Sequence, residues 1–242
     1  MRTETRRWTV MTWNIQGQKG TDINRLADVI SAVGADVVAL QEVRRPQAAA
    51  LAQRLSMSHR WVRKHNPFRP FLPSRAEGAA ILTPHSLTDT GMAIVSDEHS
   101  KRSYKRRVAV WGTVSRDDHS SYRVINAHLS PHGESSARLT EARRIAEIAA
   151  SAPSAPVVVA GDFNDHDEPA VIETLPGEQP EQSPPTNPSE APWQRLDHVL
   201  VPADARVVEV QAPEGSDAWA ELSDHVPLTV RFDLDWVSGD WT

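Results

Sequence analysis

Five short polar stretches hold most of the side chains able to do chemistry: Trp13-Asn14, Gln41-Glu42, Gly161-Asp162-Phe163-Asn164, Leu196-Asp197-His198-Val199 and Ser223-Asp224-His225-Val226. They supply carboxylates, amides and imidazoles, the residue types that metal-assisted attack of water on a phosphate requires. Asn14 follows Thr12-Trp13 and Glu42 follows Val37-Val38-Ala39-Leu40, so both are expected at strand C-terminal ends, where ligands gather in α/β folds. A buried glutamate without a partner is costly, whereas one that binds Mg²⁺ beside a phosphate has its charge matched. Asp162 and Asn164, two positions apart on extended backbone, would point the same way and could hold a water or a metal. Asp197 is within reach of His225, and a carboxylate there would fix the tautomer and raise the basicity of the imidazole. His198 is expected to pack structurally, since the residue after Asp197 on a strand projects to the opposite face. Taken singly, each motif also has a bland reading: Asn14 and Gly161–Asn164 as turns, Glu42 as an acid at a helix N-terminus.

Cysteine is absent from all 242 residues, which excludes disulfides and thiolate metal sites and leaves oxygen and imidazole ligands for a hard divalent cation. The N-terminus, Met1 to Arg7, is charged and runs into an apolar strand pattern, and no stretch approaches the ~20 apolar residues of a membrane span. A soluble, cytoplasmic protein with no obligate protein partner is expected. The formal net charge is -6, yet residues 43–116 carry 14 Lys and Arg against four acids, a balance of +10 that leaves -16 for the remainder. Within that basic region, Arg60-Trp61-Val62-Arg63-Lys64-His65 and Lys101-Arg102-Ser103-Tyr104-Lys105-Arg106-Arg107 interleave cations with aromatic rings, a composition suited to nucleic acid; two solvated loops are the alternative.

To position these residues the chain must build strands, which apolar or alternating runs predict at 9–13, 37–40, 79–82, 108–114, 122–129, 157–160, 198–201, 206–210 and 228–232. Helical spacing appears at 23–33, 47–55 and 136–150. The fold is therefore α/β, in a single domain over 1–242. Residues 178–192, rich in proline and polar side chains, can be neither helix nor interior strand and are expected to form a mobile loop; a short tail begins near residue 233.

In order, Thr12-Trp13-Asn14, Leu40-Gln41-Glu42-Val43, Asn126-Ala127-His128-Leu129, Gly161-Asp162-Phe163-Asn164, Leu196-Asp197-His198-Val199 and Ser223-Asp224-His225-Val226-Pro227-Leu228 closely resemble the endonuclease/exonuclease/phosphatase superfamily, DNase-like metal-dependent phosphoesterases. The match runs from about residue 8 to residue 232. The resemblance implies a four-layer sandwich, two mixed β-sheets face to face with helices outside. It implies Glu42 as the principal Mg²⁺ (or Mn²⁺) ligand, with Asn14 and Asp224 nearby, and Asp162 and Asn164 positioning the attacking water and a phosphate oxygen. His225, paired with Asp197, would be general base or transition-state stabiliser.

His128 stands where the AP-endonuclease branch usually has tyrosine, and is more similar to the histidine-bearing DNases, sphingomyelinases and small-molecule phosphodiesterases. It would donate to a phosphate oxygen or protonate the leaving group, with Glu77 orienting it. Asn126 and Arg106 or Arg107 are the expected substrate-binding residues, an edge-strand arginine being the alternative for the last two. His132, Arg138 and Arg143 are expected to be solvated or outward-facing. Three functions are compatible with this reading: a nuclease acting on DNA or RNA, a phosphoesterase for a small, lipid or nucleotide-derived phosphate, and a noncatalytic domain that keeps the fold.

Overall fold

The computed structural model describes residues 2–65, 75–99, 103–131, 133–151, 155–166 and 169–238. Among the described residues eleven strands form two mixed sheets. The first contains β1 (Arg2–Asn14), β2 (Val37–Arg44), β3 (Ser58–Arg63), β4 (Glu77–Thr83), β10 (Arg206–Gln211) and β11 (Leu228–Ser238), in the order β10-β11-β1-β2-β4-β3. The second contains β5 (Ser86–Ile94), β6 (Val108–Ser115), β7 (Ser121–His128), β8 (Val157–Asp162) and β9 (Asp197–Leu200), in the order β5-β6-β7-β8-β9.

Alternation along each strand makes four layers. Trp8 and Val10 of β1, Val37 and Ala39 of β2 and Ala79 and Ile81 of β4 meet Val108, Val110, Val124, Val158 and Val199 between the sheets. The intervening Met11, Trp13, Val38 and Leu40 face outward onto α1 (Ile23–Val33) and α2 (Arg45–Arg54). On the other side Ala109, Ile125 and Val159 face α3 (Ser135–Ala150) and α4 (Pro169–Thr174). Burial on both faces explains why these strands read as continuous apolar runs. Helix α1 begins where Asp22 accepts from the Asn24 N–H and ends on Gly34 at φ 63°. A short helix α5 (Asp217–Ala220) precedes the last motif. No helix among the described residues is long and apolar enough to cross a membrane.

Three expectations change. Residues 58–63 and 86–94, unassigned by pattern, are the edge strands β3 and β5, mostly solvent-facing and so without an apolar repeat. The stretch from 233 is no separate tail: β11 continues to Ser238 against β1, with Arg7 opposite Asp233, and Arg7 and Arg206 both donate to the Asp233 carboxylate. The proline-rich stretch is stitched down, with Thr186 and Ser189 fully buried and Glu178 paired with Val201. Proline supplies no donor there, and Thr186, Asn187 and Ser189 satisfy the chain with their side chains instead.

Candidate active site

Strand order decides what meets at the cleft. Across the rim of the first sheet, β1, β2, β4 and β3 bring Asn14, Glu42, Glu77 and Lys64 to one end in that sequence. Across the facing rim, β6, β7, β8 and β9 bring Arg107, His128, Asp162 and Asp197. Asn14, Glu42, Lys64, Arg107, His128, Asp162, Asn164, Asp224 and His225 line one cleft, together with Asn187 and Gln194.

Glu42 reaches this cleft through a β-bulge. Leu40 pairs with Ala80 but Val43 with Gly78, so β2 carries one extra residue here. Glu42 absorbs it at φ 52°, a left-handed conformation that costs a non-glycine residue about 1 kcal/mol or more and re-aims its side chain. Gln41 turns instead toward the other sheet, donating to Thr12 Oγ1 at 3.0 Å and to Asn126 Oδ1 at 2.8 Å. On the facing sheet a Cβ at Gly161 would lie 1.8 Å from the Ala127 carbonyl oxygen, so only glycine lets β8 approach β7 with Asp162 opposite His128.

His225 is held from three sides. Its Nδ1 donates to Asp197 Oδ2 at 2.7 Å, its Nε2 lies 3.9 Å from Asp162 Oδ2, and its carbonyl accepts from Trp13 Nε1 at 2.9 Å. Burial disfavours the imidazolium, but Asp197, Asp162 and the hydrogen bond outweigh it and push the pKa up to about 10. Asp162 is fully buried and accepts from Asn14 Nδ2 on Oδ2 and from the Asn164 N–H on Oδ1, each at 3.0 Å. Burial raises its pKa to about 6 against the pull of His225. Asn164 sits at φ 51°, so it turns away from the strand rather than extending beside Asp162, and its Nδ2 donates to the Leu129 carbonyl at 3.1 Å. The 186–189 segment completes this corner: Thr186 Oγ1 donates to Asp197, Asn187 Nδ2 and the Ser189 N–H to the Asp224 carbonyl, and Ser189 Oγ to that of Ser223.

His128 Nε2 lies 3.5 Å from Asp162 Oδ2, while its buried Nδ1 has no hydrogen-bond partner among the described residues. Burial, reinforced by Lys64 and Arg107, pushes its pKa well down and keeps the ring neutral. Glu77 therefore does not orient it; that carboxyl lies beside Glu42 and Lys64 on the opposite sheet, its pKa raised by burial and by Glu42.

Of the two candidate arginines only Arg107 lines the cleft, for Arg106 donates from Nη1 to the Lys64 carbonyl at 2.8 Å and faces a neighbouring groove. Asn126 is not in the cleft either. Fully buried, it donates to the Leu40 and Ala80 carbonyls at 3.0 and 2.8 Å and ties the two sheets together. His198 packs as expected, stacked on Phe163, with Nε2 donating to the Asp165 carbonyl and Nδ1 accepting from Gln179. Arg138 is buried, not outward-facing, and donates to the Pro131 carbonyl at 2.7 Å. His132, Lys101 and Arg102 lie outside the described residues. Lys64, Asn187 and Gln194 also line the cleft and are not singled out by the sequence, in which Lys64 is one cation of a basic-aromatic run suited as a whole to nucleic acid.

The donor set fits a hard divalent cation at Glu42, Asn14 and Asp224. Burial raises the Glu42 pKa, Lys64 opposes that rise, and Asp162 and Asp224 add to it, so the acids repel one another until a cation joins them. Asp162, Asp197 and His225 also place ligand atoms within 4.8 Å of one another. In that group the His225 Nδ1 is taken by its proton to Asp197, and hydrogen bonds account for the clustering without a metal.

The sequence matches the model of the Endonuclease/Exonuclease/phosphatase family over residues 11–225. No curated protein matches it. Among solved structures, a family protein from Bacteroides thetaiotaomicron aligns with TM-score 0.76 at 17% identity, covering 96% of this chain and 100% of its own. D. rerio TDP2 complexed with a single-strand DNA product aligns at 0.72 and 17% identity (93% and 98% covered), and a Bacteroides thetaiotaomicron mannosyl-6-phosphatase at 0.68 and 16% (93% and 99%). These likenesses concern the fold; the motifs and the family match together place this chain in the endonuclease/exonuclease/phosphatase family of phosphoesterases.

Proposed function

We propose that the protein is a Mg²⁺- or Mn²⁺-dependent phosphodiesterase whose substrate is DNA or RNA, acting in the cytoplasm. One observation carries the reading: clustered acids (Glu42, Asp162, Asp224) and buried cations (Lys64, Arg107) line the same cleft around the His225–Asp197 pair. A divalent cation bound at Glu42, Asn14 and Asp224 would neutralise charge on the phosphate. Asp162, with its pKa near 6, takes the proton of the attacking water, a basicity suited to neutral pH. His225, held protonated by Asp197, donates to a non-bridging oxygen as charge develops in the transition state. His128 is kept neutral and carries a single N–H, so it serves as a hydrogen-bond donor; as the bond from phosphorus to the leaving oxygen breaks, that oxygen takes its proton from solvent.

Support for a nucleic-acid substrate comes from the neighbouring groove, where Arg60, Arg63 and Arg106 stand beside Trp61 and Met92, next in sequence and space to Lys64. A small sugar or lipid phosphate is the second reading, favoured by the fold it shares with a mannosyl-6-phosphatase. Hydrolysis of supercoiled plasmid, single-stranded DNA, RNA and bis(p-nitrophenyl) phosphate, with Mg²⁺, Mn²⁺ or EDTA, separates the two. Chelator-sensitive, salt-suppressed cutting of a polymer that is lost in His225→Ala supports the nuclease. Turnover of the small diester alone replaces it with the second reading.

A further inference from the structure

The cleft is electrically divided, and its cationic end has an unexplained member. Strand order places Asn14 and Glu42 centrally, facing Asp162 and Asp197, and puts Lys64, at the end of edge strand β3, on the same flank as Arg107, just before β6. Lys64 is 8% exposed and Arg107 4%. The Lys64 backbone is fixed on both sides, its N–H donating to the Glu77 carbonyl at 2.9 Å and its carbonyl accepting from Arg106. Its side chain is thereby aimed into the cleft.

Among the described residues neither cation makes a contact ion pair, although Glu42, Glu77 and Asp162 act on Lys64, and Glu141, Asp162, Glu42 and Glu134 on Arg107, from farther away. Among the described residues no carboxylate oxygen lies within 4.0 Å of Lys64 Nζ, so it is not the contact counter-ion of Glu42 or Glu77. Arg107 Nε and Nη1 are buried without a hydrogen-bond partner among the described residues. Burial pushes the Lys64 pKa down to about 8, Arg107 adds to the fall and Glu42, Glu77 and Asp162 oppose it, so a second buried cation stands beside an ammonium that has acids near it but none in contact. A phosphate supplies several acceptor oxygens for an ammonium and a guanidinium fork.

We propose that Lys64 is a phosphate-anchoring residue which, with Arg107, forms an anion subsite that holds the substrate phosphate independently of the metal at the acidic end. The proposal rests on the reading of the cleft as a phosphate-ester site, but it concerns binding and is tested without turnover. Binding of inorganic phosphate and of dimethyl phosphate to the full chain is measured in EDTA by calorimetry or ³¹P NMR. The two probes distinguish a subsite for a terminal or free phosphate from one for a diester. Wild type is expected to bind at least one of them. Lys64→Met should weaken binding on the order of tenfold or more, Lys64→Arg should restore most of it, and Glu42→Gln should leave it unchanged or tighter. A melting curve for each variant establishes that it is folded. Equal binding by Lys64→Met, loss of binding in Glu42→Gln, or no binding by wild type would each overturn the proposal. If phosphate binds as expected but no ester is ever hydrolysed, the functional reading falls and the subsite stands.

Discussion

His225 Nδ1 lies 2.7 Å from Asp197 Oδ2, and the Thr186 hydroxyl donates to that same oxygen at 2.6 Å. The carboxylate is fully buried, so its charge acts on the imidazole nearly unscreened. Asp197→Asn should lower kcat by about 10²- to 10⁴-fold with little change in KM, because the ring loses both its tautomer and its counter-charge. NMR titration should show the His225 pKa falling from about 10 toward its usual 6.5. The folded pKa exceeds the unfolded one, so this pairing stabilises fully below about pH 6.5 and is lost as pH rises toward 10. Full kcat in Asp197→Asn would remove the pair from the chemistry.

Glu42 combines a strained backbone with a crowded charge. The strain of φ 52° is fixed by the bulge, whereas the charge cost that Asp162 and Asp224 add at Glu42 is one that a cation relieves. Wild type should therefore melt higher with Mg²⁺, whereas Glu42→Gln should melt at or above the wild-type temperature in EDTA, gain little from Mg²⁺ and lose activity by at least about 10²-fold. A Mg²⁺-induced rise of equal size in the variant would move the metal away from Glu42.

How legible the site was depends on where each residue stands. Asn14, Glu42, Asp162 and Asp197 follow or begin apolar runs, so a strand pattern alone delivers them to a rim, and strand pairing brings the rims together. The bulge that turns Glu42 into the cleft and Gln41 out of it leaves no mark in composition. Asn126 stood out as a polar residue in an apolar strand, but pattern cannot tell a ligand from a residue that satisfies buried carbonyls. Lys64 directly follows an edge strand whose other face is solvated, and Thr186, Asn187 and Ser189 lie in a proline-rich segment whose order comes from tertiary hydrogen bonds invisible to local propensity.

Acid should unfold the protein partly through buried histidines. His198 is pushed down to about 4 by burial, and His65 likewise to about 4 by burial and then by Lys64, Arg107 and Arg106. Their folded pKa values lie below the unfolded 6.5, so the unfolded chain takes up protons first and stability falls between about pH 6.5 and 4. Completely buried His198 alone should account for about 3 kcal/mol of that loss. Urea midpoints at pH 7 and 4.5 measure the slope, and His198→Gln should be less stable at pH 7 but flatter toward acid. An unchanged slope would mean that His198 is not buried neutral.

Asn126 is where the fold and the sequence reading part most sharply, and substitution there distinguishes support from binding. Its amide donates to Leu40 and Ala80 carbonyls and its oxygen accepts from Gln41, all away from solvent. Asn126→Ala leaves those partners buried without it, at a cost of about 2–4 kcal/mol in a denaturant titration. KM, measured at a temperature where the variant is folded, should stay within about twofold of wild type, while Arg107→Ala, whose guanidinium lines the cleft, should raise KM tenfold or so with stability nearly kept. The reverse pattern, a stable Asn126→Ala with raised KM, would return Asn126 to the substrate and detach it from the joint between the sheets.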